Sequence, residues 1–320
     1  MRKEIYSRHY PVIGKEGQVK LGEKKVVVVG AGALGSYTVH FLKKLGVEKI
    51  RVIDGDTINY SDIPRTMYGE EDVGRPKVEI LSEKYDIEGI AETLVANNAD
   101  LLENFDLIMD ATDNIHTRHL INEFADKNGT PWVHMAVLRT YGYVMGIVPG
   151  KTACYRCLIP EKISSIPTCA VEGIMPYVPA TAAAMGVAIA QKILLEEEIK
   201  SEMIYFNLET MEFQKIFVPR REDCEVCGKK IYRNLEGGGM KIREMYEGVE
   251  IIPPEKINID LESIKENLEK LNFKVYGGER YIRFREGDAE ITIFRTGKML
   301  IKGVDKEEEA MRYYARYLGY

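Results

Sequence analysis

Lys25-Val-Val-Val-Val-Gly30-Ala-Gly32-Ala-Leu-Gly35 is the stretch that decides the fold. Four consecutive valines with no polar alternation read as a strand buried on both faces, the habit of a parallel sheet. A G-x-G-x-x-G turn at Gly30, Gly32 and Gly35 follows, and Ser36 to Leu45 has helical spacing. Glycines there let the backbone approach phosphates, while the helix N-terminus offers unpaired N–H donors to them. Lys49 to Asp54 reads as a second strand whose last residue, Asp54, is placed to accept ribose hydroxyl hydrogen bonds. The pair specifies a nucleotide without saying which one. An NAD-dependent oxidoreductase satisfies it as well.

Outward from this stretch, Leu107–Asp110 and Trp132–Val137 read as further strands with helical patterns between them. That alternation predicts an α/β fold, a Rossmann-like, doubly wound and mostly parallel sheet. Tyr141–Val148 is strand-like, Ala180–Glu197 reads as a long helix, and Met203–Val218 as a hairpin. Leu235-Glu-Gly-Gly-Gly239 reads as a linker, which predicts a nucleotide-binding domain over 1–234 and a small α+β accessory domain over 240–320. In the second unit a helix fits Leu261–Leu271, three strands fit Lys274–Val304 and a last helix fits Lys306–Leu318.

The chain has 320 residues, 45% hydrophobic and 29% charged, enough apolar content for a sizeable core. A net charge of −6 argues against general nucleic-acid binding. No apolar run is expected to reach membrane-spanning length, and the first residues lack the apolar stretch of a signal peptide. A cytoplasmic protein with no membrane partner is expected.

Five cysteines occur, four of them in two C-x-x-C pairs, Cys154/Cys157 and Cys224/Cys227, with Cys169 alone between the pairs. This is not a secreted disulfide framework. Two such pairs predict one tetrahedral Zn²⁺ with four thiolate ligands at about 2.3 Å, closed to chemistry and structural in role.

Three further features bear on the nucleotide. Asp54-Gly-Asp56 opens a polar segment that reaches Ser61-Asp-Ile-Pro-Arg65, followed by Gly74-Arg-Pro-Lys77. Hydride transfer needs no such pair of separated cations, whereas ATP cleavage does, because charge grows on the phosphates. Asp110-Ala-Thr112-Asp113-Asn114 ends a strand at the sheet edge where ligands sit, and a carboxylate there can hold Mg²⁺.

Together these motifs resemble the ThiF/MoeB/HesA family of ubiquitin-activating-enzyme-like adenylyltransferases over about residues 5–230. The resemblance begins with Tyr6-Ser-Arg8-His and Gly14-Lys-Glu-Gly17-Gln18 and includes Thr112-Asp-Asn, Arg118, Asn122 and both cysteine pairs. It implies that a small ubiquitin-like or sulfur-carrier protein ending in Gly-Gly offers its terminal carboxylate to MgATP, giving an acyl-adenylate and pyrophosphate. It further implies that Asp54 binds the ribose, Arg65 and Lys77 the phosphates, and Asp113 the Mg²⁺. Asp56, Thr112 and Asn114 fall in the same nucleotide-binding set. Arg8 matches an arginine that reaches the neighbouring subunit's ATP, so a homodimer is implied. Cys169 lies in a segment resembling the family loop whose cysteine captures the activated carrier. A non-catalytic or RNA-modifying relative on the same fold stands beside this reading.

The chain departs from the family pattern at Asp62 and Thr66, where an amide and Gln are usual; a carboxylate beside phosphates is repulsive unless a cation bridges them. None of the five histidines has metal-ligand spacing, and His116 and His119 are expected on a helix surface.

Overall fold

The computed structural model describes residues 5–159, 172–236, 240–245, 248–253 and 258–319. The valine run forms β1 (Lys25–Val29), paired in parallel with β2 (Lys49–Ile53) and β4 (Leu107–Asp110). Two more strands complete the parallel half. β3 (Glu88–Ile90) flanks β2, and β5 (Trp132–Leu138) flanks β4. The sheet then turns antiparallel through β6 (Tyr141–Ile147), β7 (Glu202–Asn207) and β8 (Glu212–Phe217), giving the order β3-β2-β1-β4-β5-β6-β7-β8.

Side-chain alternation on β1 divides the core. Val26 and Val28 face one side, in a cluster with residues of α2 (Ala33–Leu45) and α6 (Tyr177–Leu194). Val27 and Val29 face the other, with Leu120, Ile121 and Phe124 of α4 (Ile115–Asn128) and Trp132. Each fully buried valine stabilises the fold by about 1.5–3 kcal/mol relative to exposure, so truncation on either face is costly. The remaining helices here are α1 (Tyr10–Glu23), kinked at Gly14, α3 (Lys77–Tyr85) and the short α5 (Tyr155–Leu158). α6 is long and apolar enough, by length and composition, to cross a membrane, which the sequence reading did not anticipate. Its small-residue face, including Ala182, Ala183 and Ala190, is buried against the sheet in this structure.

A second, fully antiparallel sheet carries its own core. It comprises β9 (Lys241–Met245), β10 (Gly248–Ile252), β11 (Tyr276–Gly277), β12 (Tyr281–Glu286), β13 (Ala289–Phe294) and β14 (Met299–Lys302) in the order β11-β12-β13-β14-β10-β9. Sequence reading found three strands over 274–304 and not β9 or β10. Alternation places Ile282 and Phe284 of β12 in the core beneath α7 (Leu261–Lys270) and α8 (Glu307–Leu318), with Ile291 and Ile293 of β13, where the intervening Thr292 is buried too. The linker glycines 237–239 lie outside the described residues, whereas Leu235 is tied back to α4 by its N–H, 2.9 Å from Glu123 Oε2.

Candidate nucleotide site

The C-terminal ends of β1, β2 and β4 open into a cavity of about 820 Å³, within the range of small-molecule sites. Gly30 makes the turn possible. Its φ is +96°, and a Cβ there would lie 2.6 Å from the Ala111 carbonyl oxygen. Gly35 sits one helical turn on, where a Cβ would collide with the Gly30 carbonyl; it packs α2 onto β1 and does not line the cavity. Gly32, Ala33 and Leu34 do line it, at a helix start whose first N–H groups have no intrahelical partners.

Asp54, Asp56, Arg65, Lys77, Thr112, Asp113 and Asn114 all reach this cavity, as the sequence placed them. Asp54 accepts hydrogen bonds from the N–H groups of Ala31 (2.6 Å) and Asp56 (2.7 Å), fixing the turn after β2 against the glycine turn. Burial pushes its pKa up, against the pull of Lys77. Lys77 is itself 7% exposed and donates to Asp56 Oδ2 at 3.1 Å, with Asp62 Oδ2 at 4.0 Å. Burial disfavours the ammonium charge, yet Asp54, Asp56 and Asp62 outweigh it and hold the pKa above the ordinary lysine value.

The Asp62 carboxylate is turned away from any role as a bare repulsive charge. It accepts from the Asn59 N–H at 3.0 Å and from Arg65 Nη2 at 2.9 Å, closing the 3-10 turn Tyr60–Arg65. The Thr66 hydroxyl donates to the Asp62 carbonyl at 2.8 Å. Both departures from the family pattern are therefore built into one turn.

On the β4 side, Asn114 caps α4 by accepting from the Thr117 N–H at 2.8 Å, so Asp113 is not spent as a cap and stands exposed at the cavity. Behind it, buried Asp110 accepts from the Thr112 hydroxyl (2.6 Å) and pairs with His134 Nδ1 (2.8 Å). Buried Arg118 donates to the Thr112 carbonyl at 2.6 Å, and its Nε lies 3.5 Å from Asp110. This network sets the path of the Thr112-Asp113 backbone. Arg8 is exposed and does not line the cavity of its own chain; Cys169 lies outside the described residues.

Two sequence expectations fail here. His116 is buried and His119 half-buried, because α4 is covered on most sides between the sheet and the cysteine knuckle. Burial lowers the His116 pKa to about 4 and that of His119 to about 3, with Arg156 adding to the latter. The sequence of α4 carries no signal of this, because much of what it buries is polar: Thr117, Arg118, Asn122, Glu123 and Asp126. The second omission is larger. No residue beyond 230 was expected at the site, yet Glu286, Met311, Arg312, Arg316 and Tyr317 line the cavity, with Leu271 and Phe273.

The four paired cysteines are all buried away from the cavity. Their sulfurs lie within 4.8 Å of one another, with Cys154–Cys157 at 3.9 Å, Cys154–Cys224 at 3.7 Å and Cys157–Cys227 at 3.5 Å. A tetrahedron of thiolates about 2.3 Å from one ion has edges of about 3.8 Å. The donor set could bind zinc. Tyr155, between the first pair, donates its N–H to Asn122 Oδ1 at 2.8 Å and so ties the knuckle to α4.

With this geometry in place, residues 6–226 match the ThiF family. The chain belongs to the ThiF family. The sulfur carrier protein ThiS adenylyltransferase of Bacillus subtilis is 29% identical over 332 residues, covering 98% of this chain and 99% of that relative. The SAMP-activating enzyme E1 of Haloferax volcanii is 32% identical over 239 residues, 70% of this chain and 88% of its own. Among solved structures, Escherichia coli MccB with MccA-N7isoASN superposes on this ThiF-family chain with a TM-score of 0.62 at 23% identity, over 71% of this chain and 75% of that one. MccB with ATP gives a TM-score of 0.61 at 23% identity, covering 70% and 74%. These structures establish the shared fold. The Bacillus relative is matched along essentially the whole of this ThiF-family chain, second sheet included, and the Haloferax relative is not.

Proposed function

We propose that this protein adenylates the C-terminal carboxylate of a small sulfur-carrier or ubiquitin-like protein ending in Gly-Gly. The observation that carries the reading is the meeting, in one cavity of a ThiF-family chain, of the α2 N-terminus, Lys77, Arg65 and Asp113. The carrier carboxylate oxygen would attack the α-phosphorus of ATP, forming an acyl-phosphate bond as the bond to the β-phosphate oxygen breaks and pyrophosphate leaves. Asp54 holds the ribose in this reading, and Arg65 and Lys77 offset the charge that grows on the departing phosphates. Thr112 and Asn114 shape the loop beside the phosphates, and Asp56 hands Lys77 its resting partner.

Asp113 fits a Mg²⁺ ligand: it is exposed at the cavity, and among the described residues none hydrogen-bonds its carboxylate. Magnesium, when bound, would screen the triphosphate. Cys154, Cys157, Cys224 and Cys227 would hold a structural Zn²⁺ that joins α5 and its N-cap residue to the segment after β8. Residues 240–320 form an accessory unit in this reading, and Cys169 is the candidate nucleophile for capturing the adenylated carrier. A homodimer belongs to the same reading. It is supported by the exposed Arg8 and by exposed Met211, Phe213 and Phe217 at the edge strand β8, apolar surface of the sort that marks interfaces.

Carrier-dependent exchange of labelled pyrophosphate into ATP tests the function. Candidate carriers are the small proteins of the same genome that end in Gly-Gly. Exchange with one of them establishes the reaction, and absence of exchange with all of them, at saturating MgATP, removes it.

A further inference from the structure

The turn that presents Asp54 is held from two directions. From within the first sheet, Lys77 reaches Asp56. From the second unit, Arg312 on α8 donates through Nη1 to the Gly55 carbonyl oxygen at 2.8 Å and lies 3.4 Å from Asp56 Oδ1. Gly55 and Asp56 directly follow Asp54, whose carboxylate in turn accepts from Ala31 in the glycine turn. At the end of the same helix, the Gly319 carbonyl accepts from the Ile115 N–H at 2.8 Å, at the first turn of α4, two residues past Asp113. α8 thus touches both loops that frame the cavity, one after β2 and one after β4. Burial works against the charge on Asp56, but Lys77, Arg316 and Arg312 outweigh it and hold its pKa below the usual carboxylate value.

We propose that the second unit is a wall of the nucleotide pocket and that Arg312 is a positioning residue, holding the Asp54-Gly55-Asp56 turn in the form that accepts the ribose. The proposal rests on the nucleotide reading above. It follows that docking of α8 and occupation of the pocket are linked, and such linkage is reciprocal: whatever α8 adds to nucleotide affinity, nucleotide adds to the docking of α8. Arg312 makes its contacts to the turn, not to reacting atoms, so it acts on binding more than on the chemical step.

The test uses the full chain and ATP with Mg²⁺ as the probe. Arg312→Ala raises the Kd for ATP about fivefold or more, with a matching rise in KM for exchange and a smaller change in kcat. Arg312→Lys, which keeps a cation able to reach the Gly55 carbonyl, recovers most of the affinity. Hydrogen exchange on the wild-type chain supplies a readout that needs no variant: saturating ATP slows exchange of the α8 amides. Arg312→Ala binding ATP within twofold of wild type, or α8 amides that exchange equally fast with and without ATP, overturns the inference. A wild-type chain that binds no ATP overturns the nucleotide reading itself, and is told apart from those two results by the wild-type titration alone.

Discussion

Arg65 Nη2 donates to Asp62 Oδ1 at 2.9 Å, so the cation assigned to the phosphates is held, before any nucleotide arrives, by the acid that replaces the family amide. Asp62 is nearly fully buried, so this pair is not weakened by solvent as a surface pair would be. Asp62→Asn keeps an acceptor for the Asn59 N–H and removes the charge that competes for Arg65. A lower KM for ATP in pyrophosphate exchange is expected, with the fold unchanged by circular dichroism. A rise in KM would show that the carboxylate has a positive role.

Lys77 stands between three acids, which makes its removal a matter of stability as well as activity. Lys77→Ala is expected to reduce exchange by roughly 10²-fold, the scale for loss of one preorganised electrostatic donor. It also leaves Asp54 and Asp56 without the cation that pulls both carboxyl groups toward the ionised form, so their folded-state pKa values rise. Acids raised in the folded state favour it at low pH and lose that advantage as pH rises. The stability deficit of Lys77→Ala should therefore be larger at pH 7 than at pH 4 in paired denaturant titrations. A deficit independent of pH would place the lysine's contribution in packing alone.

The cysteine knuckle predicts one zinc per chain by metal analysis of freshly purified protein. Cys224 is fully buried, and Cys224→Ser should lower stability by on the order of several kcal/mol, because binding energy for a structural ion is folding energy. A strong chelator should lower the melting temperature of the wild type and leave the variant nearly unmoved. Protein that carries no stoichiometric metal and ignores the chelator contradicts the assignment.

His116 and His119 titrate well below the value of a free imidazole, so the folded chain keeps them neutral where the unfolded chain protonates. Their contribution is fully present above pH 6.5 and is lost as pH falls toward 4 and below. Replacing both with Gln should flatten the fall of stability between pH 6.5 and 4 relative to wild type, read as the difference between the two denaturation curves. Parallel curves would mean that these imidazoles are solvated in solution.

The parts legible in the sequence are those written in consecutive residues. The β1–α2 turn, the acids at 54 and 113 and both cysteine pairs each carry their geometry within a short span, because strand, turn and helix start follow one another there. Asp62 was legible as a departure but not as a partner of Arg65, since a 3-10 turn closed by a side chain leaves no periodic signal. α4 was misread at His116 and His119 because amphipathic spacing assumes one solvent face, and a helix between a sheet and a knuckle has almost none. Arg312 was illegible for a different reason: it lies on an ordinary amphipathic helix, and its target is 257 residues away. No local pattern encodes that meeting.

The two sheets hold separate apolar cores, and the contacts named between them are polar: Arg312 with Gly55 and Asp56, Gly319 with Ile115, and Asn267 Nδ2 with Glu172 Oε1 at 2.9 Å. A seam of this kind transmits little cooperativity, because breaking it exposes few greasy atoms to water. Heating should accordingly melt the molecule in two calorimetric steps, one for each core. ATP, by bracing the turn that Arg312 grips, should draw those steps together. The spacing between the two melting peaks then becomes a direct gauge of how strongly one half of the chain senses the other.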